Sequence, residues 1–270
     1  MKLIFDIGSN NGDDIPYYLH KSDIVVAVEA NPNLCEIISK RFKSEIRDKR
    51  LFIENAVITD SNEEKTNFYI SKISHVISSI FPPSNKNLDN WEQIKIKTIS
   101  CNDLLEKYGK PDYIKIDIEG ADKIFLLQLH EAKYKPKYIS AESHQLDILC
   151  TLSEKFGYKS FKLVKGCSVS DTYGKTKIFS KYLNRYIYYN FPFHSAGPFG
   201  NDINGNWYDR DSLLILLAIE KLGWIDIHAT TESKGKKIGF SKIIYIMGLA
   251  ILKKRLAIIN NRFIKKILWD

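Results

Sequence analysis

The 270-residue chain reads as an α/β protein built on a doubly wound parallel sheet covered by helices on both faces. Three observations predict it. Short β-branched runs alternate with longer helical patterns through the first two thirds of the sequence. A polar bend with two glycines, "FDIGSNNGDD" at 5–14, follows the first apolar run at once. The later runs also end in polar or acidic side chains, and ligands of such sheets bind outside the carboxyl ends of the strands.

In chain order, "KLIFDI" (2–7) and "DIVVAVEA" (23–30) are predicted strands, a helical pattern covers 32–47, and "RLFIENAVI" (50–58) is the third strand. "TNFYIS" (66–71) and "IKIKTIS" (94–100) flank a polar, proline-containing segment and are expected to pair as an added ribbon. Ser100 stands three residues before Asp103, a capping-box spacing that opens a helix over 101–109. "PDYIKIDI" (111–118) and "PKYISAES" (136–143) are the fourth and fifth strands, followed by a helical pattern at 145–156. "FKLV" (161–164) and "GWIDIHAT" (223–230) complete the set, with a long helical pattern at 209–223 before the last. Strand, helix, strand repetition of this kind implies parallel pairing. The domain is expected to span 1–232, with 66–100 as the ribbon, 165–208 as substrate-side loops and 233–270 as a separate tail.

Composition excludes several function classes. The formal charge of +8 resides in the tail: ten of the 40 Lys and Arg lie beyond Ser233 against one acid, leaving 30 basic and 31 acidic residues before it. The body is therefore neutral, and nucleic acid is not the expected partner. The four cysteines form no CxxC pair, which argues against a zinc site or a disulfide framework. Asp6 interrupts "MKLIF" before an export signal forms, and the longest apolar run, 243–252, is half the roughly 20 residues that cross a bilayer. A cytoplasmic location is expected.

The strand tips supply the candidate site. They carry Asp6, Gly8 and Gly12 after the first strand, Glu29 after the second, Asn55 in the third, Asp117 and Glu119 after the fourth, and Glu142 with His144 after the fifth. A glycine bend lets a ligand approach the backbone. Glu29 lies 17 positions beyond Gly12, where a carboxylate can accept both hydroxyls of a ribose. The bend lacks the third glycine of a dinucleotide fingerprint and the Gly-Lys-Ser/Thr end of a phosphate loop, and Asp6, Asp13 and Asp14 repel a pyrophosphate. S-adenosylmethionine, cationic and without phosphate, suits the loop better.

"FDIGSNNGDD", "VEANP" (28–32), "NAVITD" (55–60), "SCNDLL" (100–105) and "YIKIDIEGAD" (113–122) together resemble the FkbM family of class I S-adenosylmethionine-dependent methyltransferases over residues 2 to 144. "FPFHSAGPFG" (191–200) and "GWIDIHAT" resemble a subset of it. The resemblance implies a Rossmann-like, seven-stranded, mostly parallel sheet and O-methylation of hydroxyls on sugars, glycolipids or polyketides. By position it assigns Asp6, Gly8, Asn10 and Gly12, with Ser9 between them, to the first cofactor motif. Glu29, beside Ala30, becomes the ribose acid, Asn55 and Ala56 the adenine side, and Asp117 with Glu119 the fourth-strand motif. Asn11 departs from the apolar residue usual before Gly12.

Methyl transfer to an alcohol needs a held acceptor oxygen and a base. The candidates are Asp117, Glu119, Glu142, His144 and His194, with His144 or Asp117 favoured. Each also has an ordinary structural role available: Glu119-Gly120 as the start of a helix, His194 as a solvated loop histidine. Asp117, Glu142 and His144 lack tight ligand spacing, so no metal is expected. A binding module that keeps the nucleoside pocket without transfer is the other class. The tail, 252–268, places Leu252, Leu256, Ile259, Phe263 and Ile267 opposite Lys254, Arg255, Arg262, Lys265 and Lys266. That basic amphipathic pattern fits an anchor on an anionic membrane through 241–270 and, equally, a helix docked on its own domain or on a second copy of the chain.

Overall fold

The structure, a computed structural model, describes residues 2–61, 63–74, 77–83, 88–143, 146–220, 224–241 and 243–248. The first half runs β1 (Leu3–Ile7), α1 (Ile15–Lys21), β2 (Ile24–Glu29), α2 (Pro32–Arg41), α3 (Lys43–Arg47), β3 (Leu51–Asn55), β4 (Lys65–Ser71), β5 (Trp91–Lys97) and α4 (Cys101–Tyr108). There follow β6 (Tyr113–Ile116), α5 (Asp122–Glu131), β7 (Tyr138–Glu142), α6 (Asp147–Cys150), β8 (Phe161–Lys165) and α7 (Val169–Tyr173). The last are β9 (Thr176–Ser180), β10 (Arg185–Tyr189), α8 (Arg210–Glu220) and β11 (Ile225–Thr230).

Seven strands form one sheet in the order β3-β2-β1-β6-β7-β11-β8. The order reverses direction at β1, so its crevice opens between the β1 and β6 tips. All pairs are parallel except those of β11, which runs antiparallel to β7 and β8. The resemblance had implied this seven-stranded, mostly parallel sheet.

Alternation along the strands divides the core into two layers. In β1, Leu3, Phe5 and Ile7 face a layer built with Leu104 of α4, Phe125 and Leu129 of α5, and Leu213 and Leu217 of α8. Ile4 faces the other side with Ile15, Tyr17 and Tyr18 of α1 and Ile38 of α2. Both faces are buried, which is why the strands read as continuous apolar runs.

Ser100 and Asp103 form the expected capping box: Asp103 donates its N–H to the Ser100 hydroxyl at 3.1 Å and returns its carboxylate to the Ser100 N–H at 2.9 Å. The ribbon is also present, with β4 and β5 antiparallel from Lys65↔Lys97 to Ser71↔Trp91. Its inner face carries Phe68, Ile70 and Ile96 onto Val57, a small third core beside the crevice.

Several boundaries differ from expectation. The helix expected over 32–47 is two, because Phe42 leaves helical geometry (φ −118°, ψ 36°) and turns its ring into the core. Helix α5 starts at Asp122, so Glu119 and Gly120 precede it in left-handed backbone (φ 49° and 90°) and do not open it. The 165–208 segment is not all loop: it holds α7 and a β9–β10 hairpin that packs on α1 through Ile178 and Tyr189. The helix expected at 145–156 is α6 continued by a π-helical turn, Thr151–Lys155.

The amphipathic pattern at 252–268 lies outside the described residues, as do 249–251. Among the described residues, no helix is long and apolar enough to cross a membrane.

Ser100→Ala is expected to cost about 1 kcal/mol of unfolding free energy, since it removes one partner of a reciprocal cap. The measurement is a lowered urea midpoint at unchanged slope. An unmoved midpoint would show that the box contributes nothing.

Candidate functional site

The site is built where the β1 and β6 tips meet. Phe5 and Ile7 of β1 pair with Ile114 and Ile116 of β6, and the bend after β1 folds against the chain leaving β6. Gly8 stands in positive-φ backbone (86°), and a Cβ there would lie 1.8 Å from the Asp117 carbonyl oxygen. No side chain fits, so glycine is required for the two tips to touch. Gly12 (φ 81°) serves packing instead: a Cβ would press on Ile15, the first residue of α1, and on Ile38 and Phe42 at the far end of α2.

Lys115 ties these tips. Its ammonium is buried, donates to the Gly8 carbonyl at 2.7 Å, and stands 3.3 Å from Asp117 and 3.6 Å from Asp6. Burial acts to lower its pKa, but the charges of Asp117, Asp6, Asp14 and Asp226 prevail and hold it well above the usual lysine range. Asp6 lies beneath the bend, fully buried, and desolvation raises its carboxyl against the pull of Lys115.

Glu29 closes the bend from the β2 side. One carboxylate oxygen accepts the Asn10 N–H and the other the Asn31 N–H, both at 2.8 Å. Each oxygen keeps a second lone pair, and the side chain lines the cleft. Burial pushes its pKa up to about 7 against those two N–H donors.

Above the tips opens a cleft of about 390 Å³. Its wall is apolar along Leu34, Val57, Ile58, Phe68, Ile77 and Ile80, the last three brought by the ribbon and its return loop. Ser79 fixes that loop by donating its hydroxyl to the Glu119 carbonyl at 2.9 Å. The cleft also has an acidic part. Asp117, Glu119 and Glu142 each present a carboxylate oxygen within 4.8 Å of the others. Burial and then the Asp117 charge push Glu119 up to about 8 and Glu142 up to about 9. His194 and Trp224 stand at the mouth with their rings stacked at 6.3 Å.

Of the residues expected around the cofactor, Gly8, Ser9, Asn10, Glu29, Ala30, Ala56 and Asp117 line the cleft. Asp6 and Gly12 stand behind it. The Asn55 amide donates to the Glu29 and Ala30 carbonyls at 3.0 and 3.1 Å, bracing the turn that carries Glu29. Ser9 lines the cleft while its hydroxyl donates to the Asp6 carbonyl at 2.8 Å. Asp14 does not offer a free charge to a ligand, because it accepts from the Ser195 hydroxyl and the Ala196 N–H. Asp13 pairs with Arg41 at 2.9 Å.

Of the expected catalytic residues, the fold brings Asp117, Glu119, Glu142 and His194 to one cleft; His144 lies outside the described residues. Sequence reasoning missed Phe68, Ile77, Ile80 and Trp224. Only the ribbon's strand alternation hinted at the first, and nothing local marked the others.

A family model described as "Methyltransferase FkbM domain" matches residues 6–159. A search among curated proteins finds no match. Among solved structures, the chain is similar to the methyltransferase FkbM from Methylobacillus flagellatus KT, 15% identical with a TM-score of 0.42 over 61% of this chain and 40% of that one. It is similar to precorrin-6Y C5,15-methyltransferase from Geobacter metallireducens GS-15, 13% identical with a TM-score of 0.34 over 70% and 75% of the two chains. A third is M. capricolum TrmK in complex with S-adenosyl-homocysteine, 13% identical with a TM-score of 0.34 over 90% and 67%. The match spans two fifths of the length of the first of these.

Gly8→Ala is expected to destabilise the protein by about 2–5 kcal/mol, from overpacking against Asp117 and a disfavoured φ. A thermal midpoint equal to that of the unaltered chain would contradict the close approach of the two tips.

Proposed function

This chain belongs to the FkbM methyltransferase family, and from that premise we propose that it transfers the methyl group of S-adenosylmethionine to a hydroxyl of a sugar, glycan or glycolipid. The observation that carries the cofactor assignment is Glu29. Two backbone N–H groups fix its carboxylate, and one lone pair per oxygen is left toward the cleft for the two ribose hydroxyls.

The remaining residues fit the same molecule. The apolar wall of Leu34, Val57, Phe68 and Ile80 suits a flat heterocycle, and the bare backbone at Gly8 leaves room for the chain that joins ribose to sulfur. Asp117 offers a negative charge at the β6 tip where a cationic centre is to be held. When bound, S-adenosylmethionine supplies an electrophilic methyl on a sulfonium, and the carbon–sulfur electron pair leaves with sulfur.

The chain's own residues hold the acceptor and take its proton. Asp117, at the meeting point of the β6 tip and the cleft, is the proposed base, with Glu119 beside it. His194 and Trp224 offer a ring face and a hydrogen-bonding edge at the mouth, where a sugar ring can rest. His144 keeps its place among the proposed catalytic groups by sequence position alone.

Calorimetric titration is expected to show binding of S-adenosylmethionine and S-adenosylhomocysteine, and absence of both ends this reading. Glu29→Ala should weaken binding by roughly ten- to a hundredfold, the worth of hydrogen bonds to a charged acceptor. Because burial holds Glu29 at about 7, its acceptor form is lost as pH falls through that value. Affinity should then decline by up to about tenfold per pH unit, the limit for one linked proton. An affinity flat from pH 8 to 6 would remove Glu29 from the ribose.

A further inference from the structure

We propose that Asp14 is a positioning residue: its buried carboxylate fastens the turn Pro192–Ser195 to the end of the glycine bend and so holds His194 beside Trp224 at the cleft mouth. That His194 meets an acceptor there rests on the methyl-transfer reading; the dependence of its place on Asp14 stands on the geometry.

Asp14 occupies the position where a helix is ordinarily capped. It immediately precedes α1, and an aspartate there commonly accepts an N–H of the first turn. Here it makes no such bond. Its carboxylate, 8% exposed, is turned instead to a segment 181 positions along the chain. Oδ1 accepts the Ser195 hydroxyl at 2.5 Å and the Ala196 N–H at 3.0 Å, and Oδ2 stands 3.1 Å from the same N–H. Burying a carboxylate is costly unless hydrogen bonds offset it, and those that do so come from Ser195 and Ala196.

The segment so held is a closed turn. Ser195 donates its N–H to the Pro192 carbonyl at 3.2 Å, which puts Phe193 and His194 at the two corners. Both ends are anchored while the crest is exposed. Before the turn, Phe191 is buried with its ring 4.8 Å from that of Tyr17. After it, Ser195 is fully buried, and its hydroxyl accepts the Gly197 N–H at 2.9 Å. Tyr17, three residues beyond Asp14, holds the continuation by accepting the Phe199 N–H at 3.2 Å and donating to Asp202 at 2.8 Å. Between these anchors the exposed rings of Phe193 and His194 meet edge to face at 4.7 Å.

The facing wall is fixed independently. Trp224 lies against Gly166, where a Cβ would come 2.2 Å from the indole ring, and the Gly166 N–H donates to the Trp224 carbonyl at 3.1 Å. The separation of His194 from Trp224 is therefore set from the His194 side, and Asp14 is the anchor bonded to the residue next to His194.

The bend has a second hold four positions earlier, where the Asn10 N–H is bound by Glu29. The segment from Asn10 to Asp14 thus touches the proposed ribose acid at one end and the turn that bears His194 at the other. Cofactor and acceptor groups are joined through one short piece of backbone, so a displacement of the bend is passed to His194.

The test is nuclear magnetic resonance of the full chain carrying isotope-labelled histidine, with the His194 imidazole signal assigned by its loss in His194→Gln. Ring currents of Phe193 and Trp224 are expected to displace that signal from the position of a solvated histidine. Asp14→Ala should shift it to the solvated position, and Asp14→Asn, which keeps one acceptor oxygen, should shift it only part of the way. Asp13→Ala, which removes the neighbouring carboxylate paired with Arg41, should leave it in place. His228, 2% exposed in β11, reports the fold in the same spectrum, because its signal keeps its place only in a folded variant. Where Asp14→Ala does not fold, Ser195→Ala, which removes one donor to the carboxylate, is read by the same shift. A His194 signal unmoved in the folded variant, or already at the solvated position in the unaltered chain, overturns the proposal. Calorimetry with S-adenosylhomocysteine on the same protein separates the two readings: nucleoside binding with an unmoved His194 signal removes only the positioning role, and a shifted signal without nucleoside binding removes only the methyl-transfer reading.

Discussion

The buried ammonium of Lys115 is the constraint on which the rest of the site depends. It sits on the central pair of strands and holds the Gly8 carbonyl, Asp6 and Asp117 within 3.6 Å. Two strand tips lined with carboxylates would otherwise repel each other in a medium that screens poorly. Removing one partner from such a buried cluster costs about 3–5 kcal/mol, because the charge left behind is uncompensated. The ammonium thus permits both the close approach at Gly8 and the concentration of acids that the cleft requires.

With the tips joined, each further feature follows from the topology. The crevice opens where the strand order reverses, at β1 and β6. β2, next to β1, delivers Glu29 to one side of it, and β7, next to β6, delivers Glu142 to its acidic side. The ribbon, outside the main sheet, roofs the cleft with apolar side chains and is pinned to the β6 side by Ser79. The cleft therefore joins an apolar part, lined from the ribbon, to a charged one.

Much of the fold was legible because strands buried on both faces leave continuous apolar runs, and because the residues after them were polar where a structural sheet needs none. The place of Glu29 at the cleft was legible from its spacing to the glycine bend, and the cap from Ser100 and Asp103. Helix α1 was not found: Ile15, Tyr17, Tyr18 and Leu19 are all buried in one short segment, so no helical period separates an apolar face from a polar one. The hairpin in 176–189 was hidden because its aromatic residues alternate between the core and solvent, with Tyr186 and Tyr188 exposed. The bracing of the Glu29 turn by Asn55 was not legible, since position on a strand does not reveal which neighbour an amide will brace. The meeting of Glu142 with Asp117 and Glu119 depends on which strands are neighbours, which no local spacing encodes.

We propose a nucleoside lying across the β1 and β2 tips with its ribose on Glu29. A crystal structure of the chain with S-adenosylhomocysteine tests it most directly. Both ribose hydroxyls are expected within hydrogen-bond distance of the two Glu29 carboxylate oxygens, with the base against the apolar wall at Leu34 and Phe68. A nucleoside bound elsewhere, or one whose ribose leaves Glu29 untouched, would contradict it.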